Sequence, residues 1–291
     1  MLKRNILSDG LGNIISLADD LITKHRDDII KNPSWSPYEF YEICNSKASQ
    51  IKYDSKNVEN FVNNHFSDYL INNNRRSSYA LGILIAALIN NLEDFSVLEL
   101  KLQKKIDFFG YNLKKNHKIY LYGDSGCETG ETMSKGCLLI YGNSEDVGFL
   151  MEGGVIKIRG SVESAGPCMR GGIININGNA GEVGAGMSSG RVSVIGEVKR
   201  AGEGMLGGEI FIKEKVNMIG EEMEDGKVII EGKAKEVSNS MMGGEVYISD
   251  TCNKLNEREG GKVYIKGKEV KTKHKHLLKD NKSIYKEWGF S

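Results

Sequence analysis

From about residue 97 onward, apolar and polar positions alternate in short runs, and the runs return at constant spacing. Leu138 and Ile140, Ile156 and Ile158, Ile174 and Ile176, Val192 and Val194, Ile210 and Ile212, Val228 and Ile230, and Val246 and Ile248 are copies of one apolar pair. Period-two alternation of such residues predicts a strand with one buried face. A glycine follows at Gly142, Gly160, Gly178, Gly196 and Gly232, which predicts a corner that needs positive φ or close backbone approach. Each copy also carries a methionine, at Met133, Met151, Met169, Met187, Met205, Met223 and Met241, with a constant spacing of eighteen. Glycine stands three residues before it, except for Ser238 in the last copy, and three residues after it in every copy.

Eighteen residues are too few for a strand, a helix and two loops. They suffice for one coil of a solenoid with two or three short strands, stacked in parallel at ~4.8 Å per coil. Equivalent residues then lie above one another. The methionines form one internal ladder, the Ile/Val pairs two more, and Val147, Ala165, Val183, Ala201, Ile219 and Val237 a row of smaller side chains. The expected element is a right-handed parallel β-helix of roughly eight coils, about 40 Å long. Its ends deviate: Ile119 and Leu121 belong to an earlier strand offset by one residue, and Gly260, Gly261, Val263, Ile265 and Gly267 make a coil one residue short. Glu214 and Asp250 take corner slots that are glycine elsewhere.

Before the repeat, the apolar spacing is helical. Residues 11–30 carry one stripe, broken by Asn32 and Pro33, and Ser36 with Pro37 reads as a cap and first turn of the next helix. A third helix is expected over 58–71, and a fourth, apolar nearly all round, over 77–92. The predicted architecture is α+β and multidomain: a helical domain over 1–96, the β-helix over 97–267, and a capping tail over 268–291. The tail is expected to fold over one end of the rod, because open β-helix ends invite pairing with other chains.

The segment GNAGEVGAGMSSG (residues 178–190) resembles the GXGXG β-helix domain, found at the C-terminal end of the large subunit of glutamate synthase and in a non-catalytic subunit of archaeal formylmethanofuran dehydrogenase. IDFFGYNL (residues 106–113), just before the first coil, is similar to that family's lead-in segment. The resemblance covers about 97–267. It implies a β-helix that acts as a spacer or scaffold beside catalytic domains, with no active-site residue to carry over.

Composition adds limits. The chain has 291 residues and 39 basic against 39 acidic side chains, which gives no overall pull toward nucleic acid or anionic membranes. Cys44, Cys127, Cys137, Cys168 and Cys252 form no CxxC pair and follow no repeat phase, so neither a disulfide framework nor a zinc site is expected and a reducing cytoplasm is the default. No targeting signal is read in residues 1–8, and the longest apolar run, residues 79–89, is too short to span a bilayer.

Several motifs imitate catalytic signatures. Gly186, Ser188 and Gly190 match G-x-S-x-G, but that elbow needs a strand before the serine and a helix after it. Gly123-Asp124-Ser125-Gly126 resembles a serine nucleophile segment, yet the nearest histidine, His117, is on the previous coil. Gly202, Gly204 and Gly207 fit G-x-G-x-x-G only as a repeat corner. The methionine ladder reads as thioether packing rather than a soft-metal site. Lys271, Lys273, His274, Lys275 and His276 read as a solvated run rather than a metal patch.

The outward strand positions are less polar than solvent exposure predicts. Cys137, Leu139, Tyr141, Val155, Ile173, Ile195, Phe211, Ile229, Tyr247 and Tyr264 share that parity. They are the candidate interface, to be covered by the helices or by another chain. The edge of Gly153, Gly171, Gly186, Gly204, Gly207 and Gly243 offers a second place for close approach by a partner. The expected function is a structural or assembly scaffold without catalytic activity of its own. It needs no cofactor and no metal, and works with a protein partner or a second copy rather than with nucleic acid or membrane. The alternative is an accessory subunit of a glutamate synthase-like or formylmethanofuran dehydrogenase-like oxidoreductase complex.

Overall fold

A computed structural model describes residues 9–70, 74–238, 240–256 and 258–271. A helical region precedes a parallel β-solenoid of about nine turns of ~18 residues.

The helices are α1 (Asp9–Ala18), α2 (Arg26–Lys31), α3 (Pro37–Ala48), α4 (Ser55–Asn64) and α5 (Arg75–Asn91). The stripe over 11–30 is not one helix. A π turn, Asp19–Thr23, widens it, and His25 leaves helical geometry at φ −99° and ψ 17°. Helix α3 starts as its sequence predicts, with the Ser36 hydroxyl accepting from the Glu39 amide at 3.4 Å and Pro37 in the first turn. Helix α4 starts before residue 58, because Asp54 and Asn57 form a reciprocal capping box, and it ends at Asn64; a short 3₁₀ turn, Phe66–Tyr69, follows. Residue 71, the expected end of this helix, lies outside the described residues. Helix α5 is capped by Asn74, whose side-chain oxygen accepts from the Ser77 amide, and residues 80–89 are buried all round at the centre of the helical region.

The strands are β1 (Val97–Lys101), β2 (Lys118–Tyr122), β3 (Cys137–Ile140), β4 (Ser144–Val147), β5 (Val155–Ile158), β6 (Val162–Ala165), β7 (Arg170–Ile176), β8 (Ala180–Val183) and β9 (Ser189–Val194). They continue as β10 (Val198–Ala201), β11 (Leu206–Ile212), β12 (Lys215–Ile219), β13 (Asp225–Ile230), β14 (Lys233–Val237), β15 (Glu245–Ile248), β16 (Cys252–Leu255), β17 (Lys262–Ile265) and β18 (Lys268–Glu269). Strands β1, β2 and the odd-numbered strands β3–β17 stack in parallel in one sheet, which β18 closes; the even-numbered strands β4–β16 form a second sheet of seven. Strand β1 joins the first sheet directly, so the lead-in adds a turn to the eight coils expected.

Register explains the repeat. Ile156 stacks on Ile174, Ile174 on Val192 and Val192 on Ile210, all fully buried. The seven repeat methionines are also fully buried. Methionine carbonyls accept from the next coil, as Met133 does from Glu152 at 2.9 Å and Gly153 at 3.1 Å, so the third side of the coil is laddered without being a named strand. The glycine three residues after methionine serves the coil below it. Gly154 has φ +79°, and a Cβ there would lie 2.6 Å from the Met133 methyl. The corner glycines at 142, 160, 178, 196 and 232 have ordinary φ. Close approach alone demands them: a Cβ at Gly160 would meet the Gly142 carbonyl oxygen at 2.4 Å.

Both ends of the larger sheet are closed. At the first, α4 lies against β1. The Asn63 side chain accepts from the Lys101 amide at 2.6 Å and donates to the Glu99 carbonyl at 3.2 Å, and Glu59 accepts from the Glu99 amide at 2.7 Å. These side chains replace a neighbouring strand. At the far end Lys266 and Gly267, with φ of 51° and 73°, turn the chain back so that β18 pairs antiparallel with β17. The expected tail lies outside the described residues from 272 on, as do Lys273, His274, Lys275 and His276.

Candidate interaction site

The outward positions of the larger sheet fall into three rows by register. One row runs Val97, Lys118, Cys137, Val155, Ile173, Arg191, Glu209, Lys227, Glu245 and Lys262. The middle row runs Glu99, Tyr120, Leu139, Lys157, Asn175, Ser193, Phe211, Ile229, Tyr247 and Tyr264. The third row, at the corner, brings together Tyr122, Tyr141 and Arg159; Tyr141 donates its amide to Leu121 at 2.8 Å and Arg159 donates its amide to Ile140 at 2.9 Å.

The apolar candidates therefore divide into two patches. Leu139, Tyr141, Val155 and Ile173 gather at the helical end, and Phe211, Ile229, Tyr247 and Tyr264 at the far end. Lys157, Asn175 and Ser193 separate them in the middle row. Ile195 stands in the corner row, away from both. The helices meet the rod at the β1 edge and at the lead-in loops, and the face stays open: Ile173 and Ile195 are each 40% exposed. The tyrosines stack along the rod axis. Tyr122 and Tyr141 lie 4.7 Å apart at 19°, and Tyr247 and Tyr264 lie 4.6 Å apart at 7°.

The glycine edge has an intramolecular explanation. A Cβ at Gly153 would lie 2.4 Å from the Ser134 carbonyl oxygen, and one at Gly243 1.9 Å from that of Glu224. Gly204 alone among the six has open space beside it.

A second cluster joins the helices to the rod; the repeat spacing of eighteen relates Cys127 to Glu145, but no pattern links them to Asp107 or Arg75. Asp107, Cys127 and Glu145 bring one potential ligand atom each within 4.8 Å of one another, the only such group of three among the described residues. Two cations already serve it. Arg75 donates to Glu145 at 3.0 Å and contacts the Cys127 sulfur, and Lys105 pairs with the other oxygen of Glu145. Cys127 donates its thiol proton to Glu145 at 2.9 Å and its amide proton to Asp107 at 2.8 Å. Burial, with Asp146 and Glu145 adding to it, pushes the thiol above its ordinary range. The hydrogen bond from Cys127, then that from Lys105, holds Glu145 below the usual carboxylate value. With Arg75 and Lys105 paired to Glu145, Arg75 also 3.7 Å from Asp107, and the thiol hydrogen-bonded to Glu145, the cluster works as a clamp between α5, the lead-in loop and the first coils.

Glu131 lies beside this junction and is also fully buried, with one carboxyl oxygen lacking any hydrogen-bond partner. Burial raises its carboxyl to about 7; the charge of Glu128 adds to this and the Tyr38 hydroxyl opposes it.

The serines considered from sequence are held in structural contacts. Ser125 is buried, and its hydroxyl shares a hydrogen bond of 2.6 Å with Ser144. His117 stands just before β2, and its Nδ1 accepts from the Ser96 amide at 3.1 Å. Ser188 sits at an exposed corner, 3.4 Å from the Met169 carbonyl. Met187 and Met205, within the two glycine-rich motifs, belong to the buried ladder. No helix among the described residues is long and apolar enough to cross a membrane.

No family profile matches the chain, and no curated protein matches it in sequence.

Proposed function

We propose that the protein is a structural scaffold or assembly subunit that holds other chains against the outward face of its larger sheet, in the cytoplasm. The observation that supports this reading best is the face itself: ten stacked parallel strands, closed at both ends, whose apolar patches the helices leave open. Half-buried apolar groups on so regular a support, with Ile173 exposed among them, give a partner a preorganised surface. The inward residues are spent on stacking, and the junction cluster ties the helices to the rod by ion pairs and hydrogen bonds.

The resemblance of residues 178–190 to the GXGXG domain favours one version of this role, an accessory subunit beside glutamate synthase-like or formylmethanofuran dehydrogenase-like catalytic chains. Gentle affinity purification from the native host, with native mass measurement, tests both. Stoichiometric partner chains are expected, and their chemistry identifies the complex. Recovery of the chain as a lone monomer rules the scaffold reading out.

A further inference from the structure

We infer that the helical end of this face, centred on Tyr141, docks an acidic protein segment that presents carboxylates together with apolar side chains. The inference rests on the scaffold reading and supplies the chemistry of the partner.

Four exposed cations surround the tyrosines. Lys101 and Lys118 are on β1 and β2, and Lys157 and Arg159 lie on and just after β5. None has an ion-pair partner among the described residues. Lys118 and Arg159 lean instead on Tyr120 and Tyr141, at 4.9 and 4.5 Å from the ring centroids. The one carboxylate on these strands' outward positions is Glu99, and Glu59 of α4 is tied to the β1 backbone. Four cations against these two carboxylates leave the patch net positive on a chain whose formal net charge is zero. Leu139, Val155 and the exposed Ile173 lie among these charges. Tyrosine and arginine over an apolar floor are the composition of protein-binding hot spots, and the charge selects an acidic partner.

The geometry of the central ring disfavours single-stranded nucleic acid. Bases need open aromatic faces. Tyr141 has Tyr122 on one face and the Arg159 guanidinium over the other, so its edge points outward.

The test uses the full chain and a labelled peptide in which Glu alternates with Leu, a matched peptide with Lys in place of Glu, and an oligo-dT strand. The wild type is expected to bind the Glu peptide, to ignore the Lys peptide, and to lose affinity as salt rises beyond about 0.1 M. K157E/R159E is expected to weaken Glu-peptide binding by about tenfold and to favour the Lys peptide. K157Q/R159Q, which adds no negative charge, gives an intermediate loss and serves if the reversal variant fails to fold.

Three results overturn the inference: no Glu-peptide binding by the wild type, binding undiminished in both variants, or tighter binding of oligo-dT. If the peptide fails while host purification still returns partner chains, this inference falls and the scaffold reading stands. If purification returns a lone monomer, the scaffold reading falls whatever the peptide does.

Discussion

The two halves of one sheet surface are built on the same coil and carry opposite electrostatic designs. In the far half, charges alternate across the strands and compensate: Arg191 pairs with Glu209 at 2.9 Å, and Lys262 with Glu245 at 3.9 Å. Lys227 sits over the Tyr247 ring at 4.6 Å, and that tyrosine donates to Glu245 at 2.8 Å. In the half beside the helices, Lys118, Lys157 and Arg159 stand around tyrosines and none of them forms an ion pair among the described residues; Glu99 is the one carboxylate on those outward positions. Below the surface the halves are alike, with the same buried pairs and the same methionine ladder. Stacking constrains what points inward, while outward positions remain free to take a local sign.

The largest effect should show that the interior makes no distinction. Met133→Ala, at the helical end, and Met223→Ala, in the far half, should each cost about 2–5 kcal/mol and agree within about 1 kcal/mol, measured from urea midpoints. A far smaller cost in either half would break the equivalence of the coils.

The next effect should be confined to the helical end. The folded-state value of Glu131 is above its ordinary value of 4.5, at about 7. Its contribution is therefore fully favourable below about pH 4.5 and is lost as pH rises through 7. Glu131→Gln should match the wild type near pH 4.5 and exceed its stability at pH 8 by on the order of 2–3 kcal/mol. Thermal melts at the two pH values decide this, and an equal difference at both would exclude ionisation as the cause.

Asn63→Ala removes two hydrogen bonds from the β1 edge and should cost about 1–3 kcal/mol, with faster amide exchange at Lys101. The smallest effects bear on the comparison directly. Arg191→Glu should lose about 0.5–1 kcal/mol, because it sets like charges against Glu209, whereas Lys157→Glu should cost nothing measurable. Denaturant midpoints of the two variants, read side by side, would collapse the distinction if they fell together.

Much of the rod was legible because its spacing carries register as well as period. Met133 through Met241 mark one slot per coil, and the apolar pairs mark two more, so the buried ladders follow from counting. The outward rows were legible by the same count, since Arg191, Glu209, Lys227 and Glu245 stand eighteen apart. Parity alone merged them into one face and hid both the gap at Lys157, Asn175 and Ser193 and the difference in charge design. The corner glycines could be assigned to either of two causes from sequence, and only coordinates separate close approach from positive φ. The junction cluster was only partly legible: Cys127 and Glu145 stand eighteen apart and so share a slot on successive coils. Arg75 and Asp107 lie outside the repeat, and their arrival depends on how α5 docks, which no local pattern encodes. Asn63 is similar: an exposed-looking helical asparagine acts as a strand edge.

The hairpin of β17 and β18 has a consequence for self-association. A parallel in-register stack of identical short strands is the geometry of a fibril column, with one chain supplying every layer. Such a column grows from any open edge, and growth stops where the next layer cannot be added in parallel. Reversing the chain at Lys266 and Gly267 lays an antiparallel strand of two residues over the last parallel edge. The molecule thereby limits its own length, and loss of that short turn exposes a template on which a second molecule could begin.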